Sequence, residues 1–183
     1  AARPGEYRFR LFDSGDVLQS IPLGPVFEAR HGVPYLTVHR ADLMEVLADA
    51  VRRRDPGAIR LGRAVTGYAV KGGRAHLHLD DRTVTGDVLI GADGVRSAIR
   101  AAMLGATPAR YTGQAAWRVL LPREVLGEGT ETVDIWVGPG RHAVTYPLRR
   151  GELVNFVGSV RREAWEDDSW TTARPWAELD ADF

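Results

Sequence analysis

The chain has 183 residues, 24 basic and 24 acidic side chains, a formal charge of zero and 44% hydrophobic residues. This is enough chain for one large or two small domains with a real core, and a neutral balance lacks the basic excess that draws nucleic acid or anionic membranes. Without cysteine, disulfides, thiolate metal sites and cysteine nucleophiles are excluded.

No run approaches the roughly 20 apolar residues of a membrane span, and no signal peptide opens the chain, so a cytoplasmic protein is expected. Position 1 is Ala, and the chain stops at Phe183 inside "RPWAELDADF". That tail reads as a helix just starting, with Pro175 in its first turn, and the expectation is a piece of a longer protein.

"YRFRLFDSGDVLQSIPL" predicts two short strands around a turn at Asp13-Ser14-Gly15. "HRADLMEVLADAVRRRDPG" predicts the clearest helix, with Leu43, Val46, Leu47, Ala50 and Val51 on one face and Pro56-Gly57 ending it. "AIRLG" is expected as a short strand and "AVTGYAV-KGG-RAHLHL" as a hairpin turning at Lys71-Gly72-Gly73. "DVLIGA" is the kind of apolar run that becomes a strand covered on both faces, followed by a helix from Val95 to Met103.

After about Gly105 the segments "GQAAWRVLLP", "TETVDIWVG", "RHAVTYPLR" and "ELVNFVGSV" read as strands, followed by the acidic, Trp-rich "REAWEDDSW". The expected fold class is α/β (α+β), with an α/β unit first, a second, mainly antiparallel sheet after it, and a boundary near residues 105–112.

Several motifs have a plain structural reading. "GPGRHA" fits the G-x-G-x-x-G/A pattern, but β-like sequence with Pro147 follows it, so no helix opens there to receive a pyrophosphate and a hairpin turn is expected. His76 and His78 share a strand face; two imidazoles are too few for a zinc site, and no metal site is expected. G-x-S-x-G is absent, and the only lysine, Lys71, sits in a turn, so neither serine-hydrolase nor Schiff-base chemistry is supported.

Three places leave a functional reading open. In "DVLIGADGVRSAIR", Asp93 and Gly94 stand before a helix whose free N–H groups favour anions. Either Asp93 is simply an N-cap completed by Gly94, or the turn borders a nucleotide phosphate. Arg40 opens the long helix, where a cation opposes the macrodipole unless Asp42 neutralises it. His142 and Tyr146 sit four apart in a strand, hence on one face, where they form either ordinary sheet surface or a pair that handles a phenolic proton.

"HRADLMEVLADAV", then "LIGADGVRSAIR" about fifty residues later, then "YTGQAAWRVLLP", together resemble the FAD-dependent aromatic hydroxylases. These are single-component flavoprotein monooxygenases, and the salicylate hydroxylase and 3-hydroxybenzoate 6-hydroxylase branch looks nearest.

The resemblance implies a partial Rossmann-like FAD-binding domain over residues 1–108 and a substrate-binding sheet domain over 109–183. The glycine-fingerprint βαβ unit and a later G-D-A-A-H type motif are absent. It implies that Arg40 contacts FAD near its phosphates, that Val65 touches the adenine end through its backbone, and that Asp93 and Gly94 lie in a motif serving both FAD and the NADH or NADPH donor. It also implies that His142 and Tyr146 face a small aromatic substrate and that molecular oxygen is the co-substrate; a homodimer is a separate expectation.

Attack by an electrophilic oxygen is faster on a phenolate than on a phenol. A phenol near pKa 10 giving its proton to an imidazole near 6.5 is uphill by roughly 5 kcal/mol, so such a base needs a site that stabilises the phenolate. The competing expectation is a non-catalytic fragment or binding module that keeps the sheet but cannot hold FAD alone.

Overall fold

The computed structural model describes residues 1–125, 131–164, 169 and 172–183. The "REAWEDDSW" segment lies largely outside them. The chain divides into two compact units, residues 1–46 with 112–183, and residues 47–111.

The first unit is built on a six-stranded sheet. Strands β1 (Glu6–Leu11) and β2 (Val17–Pro22) form the expected hairpin around Gly15, whose φ of 74° suits glycine. The later strands are β6 (Gln114–Pro122), β7 (Val133–Gly138), β8 (Arg141–Leu148) and β9 (Leu153–Arg161). Their order is β2-β1-β7-β8-β9-β6, antiparallel except where β1 runs parallel to β7 with Tyr7 beside Val133. "GPGRHA" is the β7–β8 turn, with Gly138 opposite Arg141.

The parallel ladder carries a charge cluster. Asp134, 8% exposed, accepts hydrogen bonds from Arg10 Nε at 2.5 Å and Arg8 Nη2 at 3.0 Å, and Thr132 also donates to it. Arg8 Nε lies 3.0 Å from the same carboxylate but makes no aligned hydrogen bond, so that contact is an ion pair only. Burial raises the carboxyl's pKa, yet donation from Arg10, Thr132 and Arg8 outweighs it and leaves the group below the usual carboxylate range.

One sheet face is covered by the terminal helix. Phe183 meets Phe156 edge-on at 5.7 Å, Trp117 Nε1 donates to Asp182 at 2.6 Å, and Leu179 is buried. Gly158 makes room for this packing, because a Cβ there would stand 2.6 Å from the Phe183 ring. This helix, α4 (Trp176–Asp182), starts one residue after Pro175, which caps it rather than entering its first turn.

Two helices, α1 and α2, complete the first part of the chain. Helix α1 (Pro25–His31) was not anticipated, although Pro25 sits at its first position and Gly32 ends it in the left-handed region. Helix α2 (Arg40–Arg54) forms as expected, and the boundary between the units falls within it. None of its residues is buried, and Val46 and Leu47 of its apolar face are more than half exposed.

The second unit holds an antiparallel three-stranded sheet, β3 (Val65–Lys71), β4 (Arg74–Leu79) and β5 (Thr83–Gly86). The β3–β4 turn runs through Gly72 and Gly73, both left-handed, as the hairpin reading required. His76 and His78 each hydrogen-bond a cross-strand hydroxyl, Thr85 and Thr83, at 3.1 Å. "AIRLG" and "DVLIGA" are not strands: among the described residues no strand pairs with either, and an apolar run without a ladder partner has no sheet to join. Helix α3 runs Ala98–Leu104 rather than from Val95.

The division also differs from a contiguous split at 108/109. Its C-terminal border lies close by, at 111/112, but β1 and β2 pair into the later sheet, so residues 1–46 go with 112–183.

Asp134→Ala strands two arginines side by side without a counter-charge. Because these side chains keep some water contact, the loss should fall near the lower end of the range for breaking a buried pair, about 3 kcal/mol, read by urea unfolding. Asp134 ionises more readily folded than unfolded, so its contribution is present above about pH 4 and is lost as pH falls further. Asp134→Asn should therefore flatten the acid limb of the stability profile.

Gly91→Ala would place a methyl 3.0 Å from Ile99 Cγ2 and 3.2 Å from its Cβ. A destabilisation of about 1–3 kcal/mol is expected, relieved in part by Ile99→Val and measured by thermal melting of the two variants side by side.

Candidate functional site

The face of the six-stranded sheet opposite α4 carries His142 and Tyr146 as alternate-row residues of β8; its His142 end is exposed, whereas Val133 and Leu148 at its Tyr146 end are buried. Register places three rows on it. The first runs Tyr7, Val133, Tyr146, Asn155; the second Phe9, Ile135, Val144, Val157; the third Leu11, Val137, His142, Ser159. The middle row is apolar and only half-buried.

Four residues of strand separate the two Cα atoms by about 13 Å, so His142 and Tyr146 do not share a hydrogen bond directly. Between an imidazole row and a phenol row lies a flat apolar floor. That arrangement suits an aromatic ring with a polar group at each end.

An open pocket of about 570 Å³ borders the His142 end, lined among others by Gln114, Val137, Ser159 and Arg161. Ser159 Oγ donates to Gln114 Oε1 at 3.2 Å.

At the other end the structure adds a residue that sequence reasoning missed. Tyr35 meets Tyr7 edge-on, and their hydroxyls lie 2.9 Å apart. Burial, the hydrogen bond with Tyr7, and the charges Tyr7 and Tyr146 would carry push Tyr35 up to about 12. Phe27 also meets Tyr35 edge-on. The only sequence signal was an aromatic after Pro34 in "VPYLTVHR", which has no periodicity to mark it.

The stretch carrying Tyr35 leads into α2. Thr37, buried, donates its hydroxyl to the Pro147 carbonyl at the end of β8. His39 supplies the carbonyl that accepts the first helical bond, from Leu43 N–H, and Arg40 is the exposed first residue of the helix.

Asp42 does offset that cation at the helix start, but its carboxylate is also engaged elsewhere. Arg149 grips it with Nε at 2.9 Å and Nη2 at 2.7 Å, and His39 Nδ1 lies at 3.2 Å. The Arg149 bonds above all, and the His39 bond after them, lower the Asp42 carboxyl to about 2 against the opposing effect of desolvation.

In the other unit, Asp93 is not the N-cap. Ser97 is: its hydroxyl accepts from Arg100 N–H at 2.9 Å. Asp93 stands one step behind, accepting from Ser97 Oγ at 2.5 Å and Ile99 N–H at 3.2 Å. These bonds, Ser97 first, hold its carboxyl below the usual range. Gly94 has φ 80° with open space where a Cβ would stand, and Val65 begins β3 opposite Leu79.

FAD presents an anionic diphosphate and flat aromatic rings. Arg40 has the charge for the first. At the start of α3 the Ile99 and Arg100 N–H groups are already taken by Asp93 and Ser97, so the turn can border a cofactor through Gly94 without offering those donors to a phosphate. The fit of the residues present is to the phosphate and adenosine portions.

The first unit thus holds a sheet face with aromatic and imidazole rows and a helix headed by Arg40, and the second unit holds the Asp93-Gly94 turn. No family model matches the sequence. Individual relatives do. The chain is 36% identical over 150 residues to 3-amino-4-hydroxybenzoate 2-monooxygenase of Streptomyces cremeus, covering 80% of this chain and 37% of that protein. It is 31% identical over 175 residues to 6-hydroxynicotinate 3-monooxygenase of Pseudomonas fluorescens, covering 92% and 45%.

Among solved structures, Klebsiella pneumoniae HpxO with FAD and uric acid superposes with a TM-score of 0.80 at 28% identity, over 99% of this chain and 46% of that one. The chain is therefore similar over nearly its whole length to FAD-dependent aromatic monooxygenases, and it spans less than half the length of the relatives it matches.

Spectrophotometric titration at 295 nm should show one tyrosine ionising near pH 12. Tyr7→Phe should lower that midpoint without restoring an ordinary phenol, since burial remains. Tyr35 ionises less readily folded than unfolded, so its contribution to stability is lost between about pH 10 and pH 12.

Proposed function

We propose that this chain forms the substrate face and part of the cofactor site of an FAD-dependent monooxygenase that hydroxylates a small phenolic or aromatic acid. NADH or NADPH is the electron donor and molecular oxygen the co-substrate. The observation that carries the reading is the sheet face opposite α4, with an exposed His142 at one end of an apolar row and Tyr146 at the other, in a chain whose relatives are named for hydroxylated aromatic acids.

Bound FAD, once reduced, supplies activated oxygen for transfer to an electron-rich ring. Arg40 would hold its diphosphate; Val65, through its backbone, and the Asp93-Gly94 turn would border its adenosine and the nicotinamide donor. What this chain's own residues then do is orient the ring and move its proton. The Phe9, Ile135, Val144 and Val157 row supports the ring face. His142 accepts the phenolic proton at an imidazole nitrogen; no hydrogen bond to that ring forms among the described residues, so it is open to a substrate hydroxyl. Tyr146 hydrogen-bonds the far end of the substrate and so holds the hydroxyl at His142.

The phenolate that results is the electron-rich form, and making it with His142 as imidazolium is the uphill step. Donors along the His142 pocket, Ser159 and Gln114 among them, can lower that step by hydrogen-bonding the phenolate oxygen. A homodimeric, cytoplasmic protein is part of the same reading. A binding module without chemistry is less well supported, since it leaves the imidazole at one end of the aromatic floor without a task.

Two substitutions separate the roles. In the FAD-loaded protein, His142→Ala should lower hydroxylation by about 10²–10⁴, the usual contribution of a positioned base, and leave FAD affinity unchanged. Arg40→Ala should weaken FAD binding by about 1.5–3 kcal/mol, the value of a hydrogen bond to a charged group. Flavin fluorescence titration and product analysis read the two effects. Equal turnover in His142→Ala and wild type contradicts the base role.

A further inference from the structure

The turn between β8 and β9 is built in an unfavourable way. Arg149 and Arg150 have φ of 46° and 60°, and they are the only non-glycine residues with positive φ among those described. Such a turn is ordinarily made with Asn and Gly. Two consecutive arginines there need a reason, and the Arg149 side chain supplies one: its two-point grip on Asp42, 107 positions earlier in the chain.

Stability alone is a poor reason. Both side chains are more than two-fifths exposed, and exposed ion pairs contribute little to folding. What the pair does define is position, because a planar guanidinium on a carboxylate fixes both distance and orientation.

The positions it links are those of the proposed chemistry. Asp42 lies two residues after Arg40, and Arg149 lies three residues after Tyr146. Thr37 on the Pro147 carbonyl is a second tie between the same two stretches. Between the ties run His39 and Arg40 on one strand of chain, and Leu148 on the other.

We propose that Arg149 and Asp42 are positioning residues: a latch that holds the first turn of α2, with Arg40, at a fixed spacing from the Tyr146 end of β8. This rests on the reading of Arg40 as a cofactor contact and Tyr146 as a substrate contact. The latch sets the reach from bound cofactor to bound ring. Its loss leaves both ligands able to bind but misplaces them relative to each other, so reducing equivalents are consumed without hydroxylated product.

Arg149→Gly is the informative variant, since glycine accepts the left-handed backbone more readily than arginine and the turn itself is not harmed. It is compared with Arg149→Lys, Asp42→Asn and the Asp42→Asn/Arg149→Gly double variant.

Amide hydrogen exchange, which needs no cofactor, should quicken about threefold in residues 40–46 and 149–152, as expected for an exposed pair. The double variant should be no worse than either single one, as partners in one interaction behave. In the FAD-loaded protein, product formed per NAD(P)H oxidised should fall about tenfold, as small misplacements of reacting groups do. FAD affinity should stay within about threefold of wild type, the limit set by loss of one exposed pair, and Arg149→Lys should fall between.

Unchanged exchange in both segments, additive effects in the double variant, or an unchanged product ratio with quickened exchange would each overturn the latch as a positioning device. A wild-type protein that holds FAD but never hydroxylates an aromatic acid would overturn the functional reading instead, and the exchange cycle would still decide whether the two stretches are latched.

Discussion

The parallel pairing of β1 with β7 is the constraint on which the first unit depends, and Asp134 is the group that secures it. A parallel pair cannot be joined by a tight turn, so β1 must find β7 across more than a hundred residues of chain. A carboxylate shared by Arg8 and Arg10 fixes that register, because a one-residue slip of β1 would turn both arginines to the opposite face. Trp136 adds to this, with the Arg10 guanidinium 5.4 Å from its ring centroid. With β1 in place, Tyr7 lies beside Val133, and the phenol row of the candidate site exists.

The same sheet separates two tasks by face. One face is partly covered by α4, through Phe183 on Gly158 and Asp182 on Trp117. The other presents His142, Tyr146 and an apolar row between them. Strand alternation alone produces this division between the two faces. The Asp93 turn shows a related economy in the other unit. Its carboxylate organises Ser97 and Ile99 at the start of α3, while Gly94 takes the left-handed turn beside it.

Where the chain follows local rules, the sequence was readable. Strands β6 to β9, the β3–β4 hairpin and α2 follow from alternation, glycine turns and helical spacing, and the "GPGRHA" turn follows from the proline in the segment after it. The failures are non-local. "DVLIGA" reads as a strand, but a strand exists only with a partner, and none of the described residues provides one. The N-terminal hairpin was legible as a hairpin, yet nothing in residues 6–22 says that it will join a sheet made largely after residue 112.

Of the candidate site, His142, Tyr146 and Arg40 were visible through motif resemblance and simple spacing. Tyr35 was not, because its environment is made by Tyr7 and Phe27 from other elements. The Arg149–Asp42 pair was likewise hidden, since "RHAVTYPLR" reads as a strand through Arg149 and nothing in it marks the left-handed turn that follows Leu148.

The account's central claim is that the sheet face bearing His142 and Tyr146 is where an aromatic substrate lies. Chemical-shift mapping of the isotope-labelled chain, titrated with a hydroxylated aromatic acid in the presence of FAD, tests it directly. Perturbations centred on His142, Val144, Tyr146 and Ser159, with Tyr35 at their margin, are the predicted result. Perturbations confined to the α4-covered face or to residues 65–104, with β8 unmoved at saturation, would contradict it.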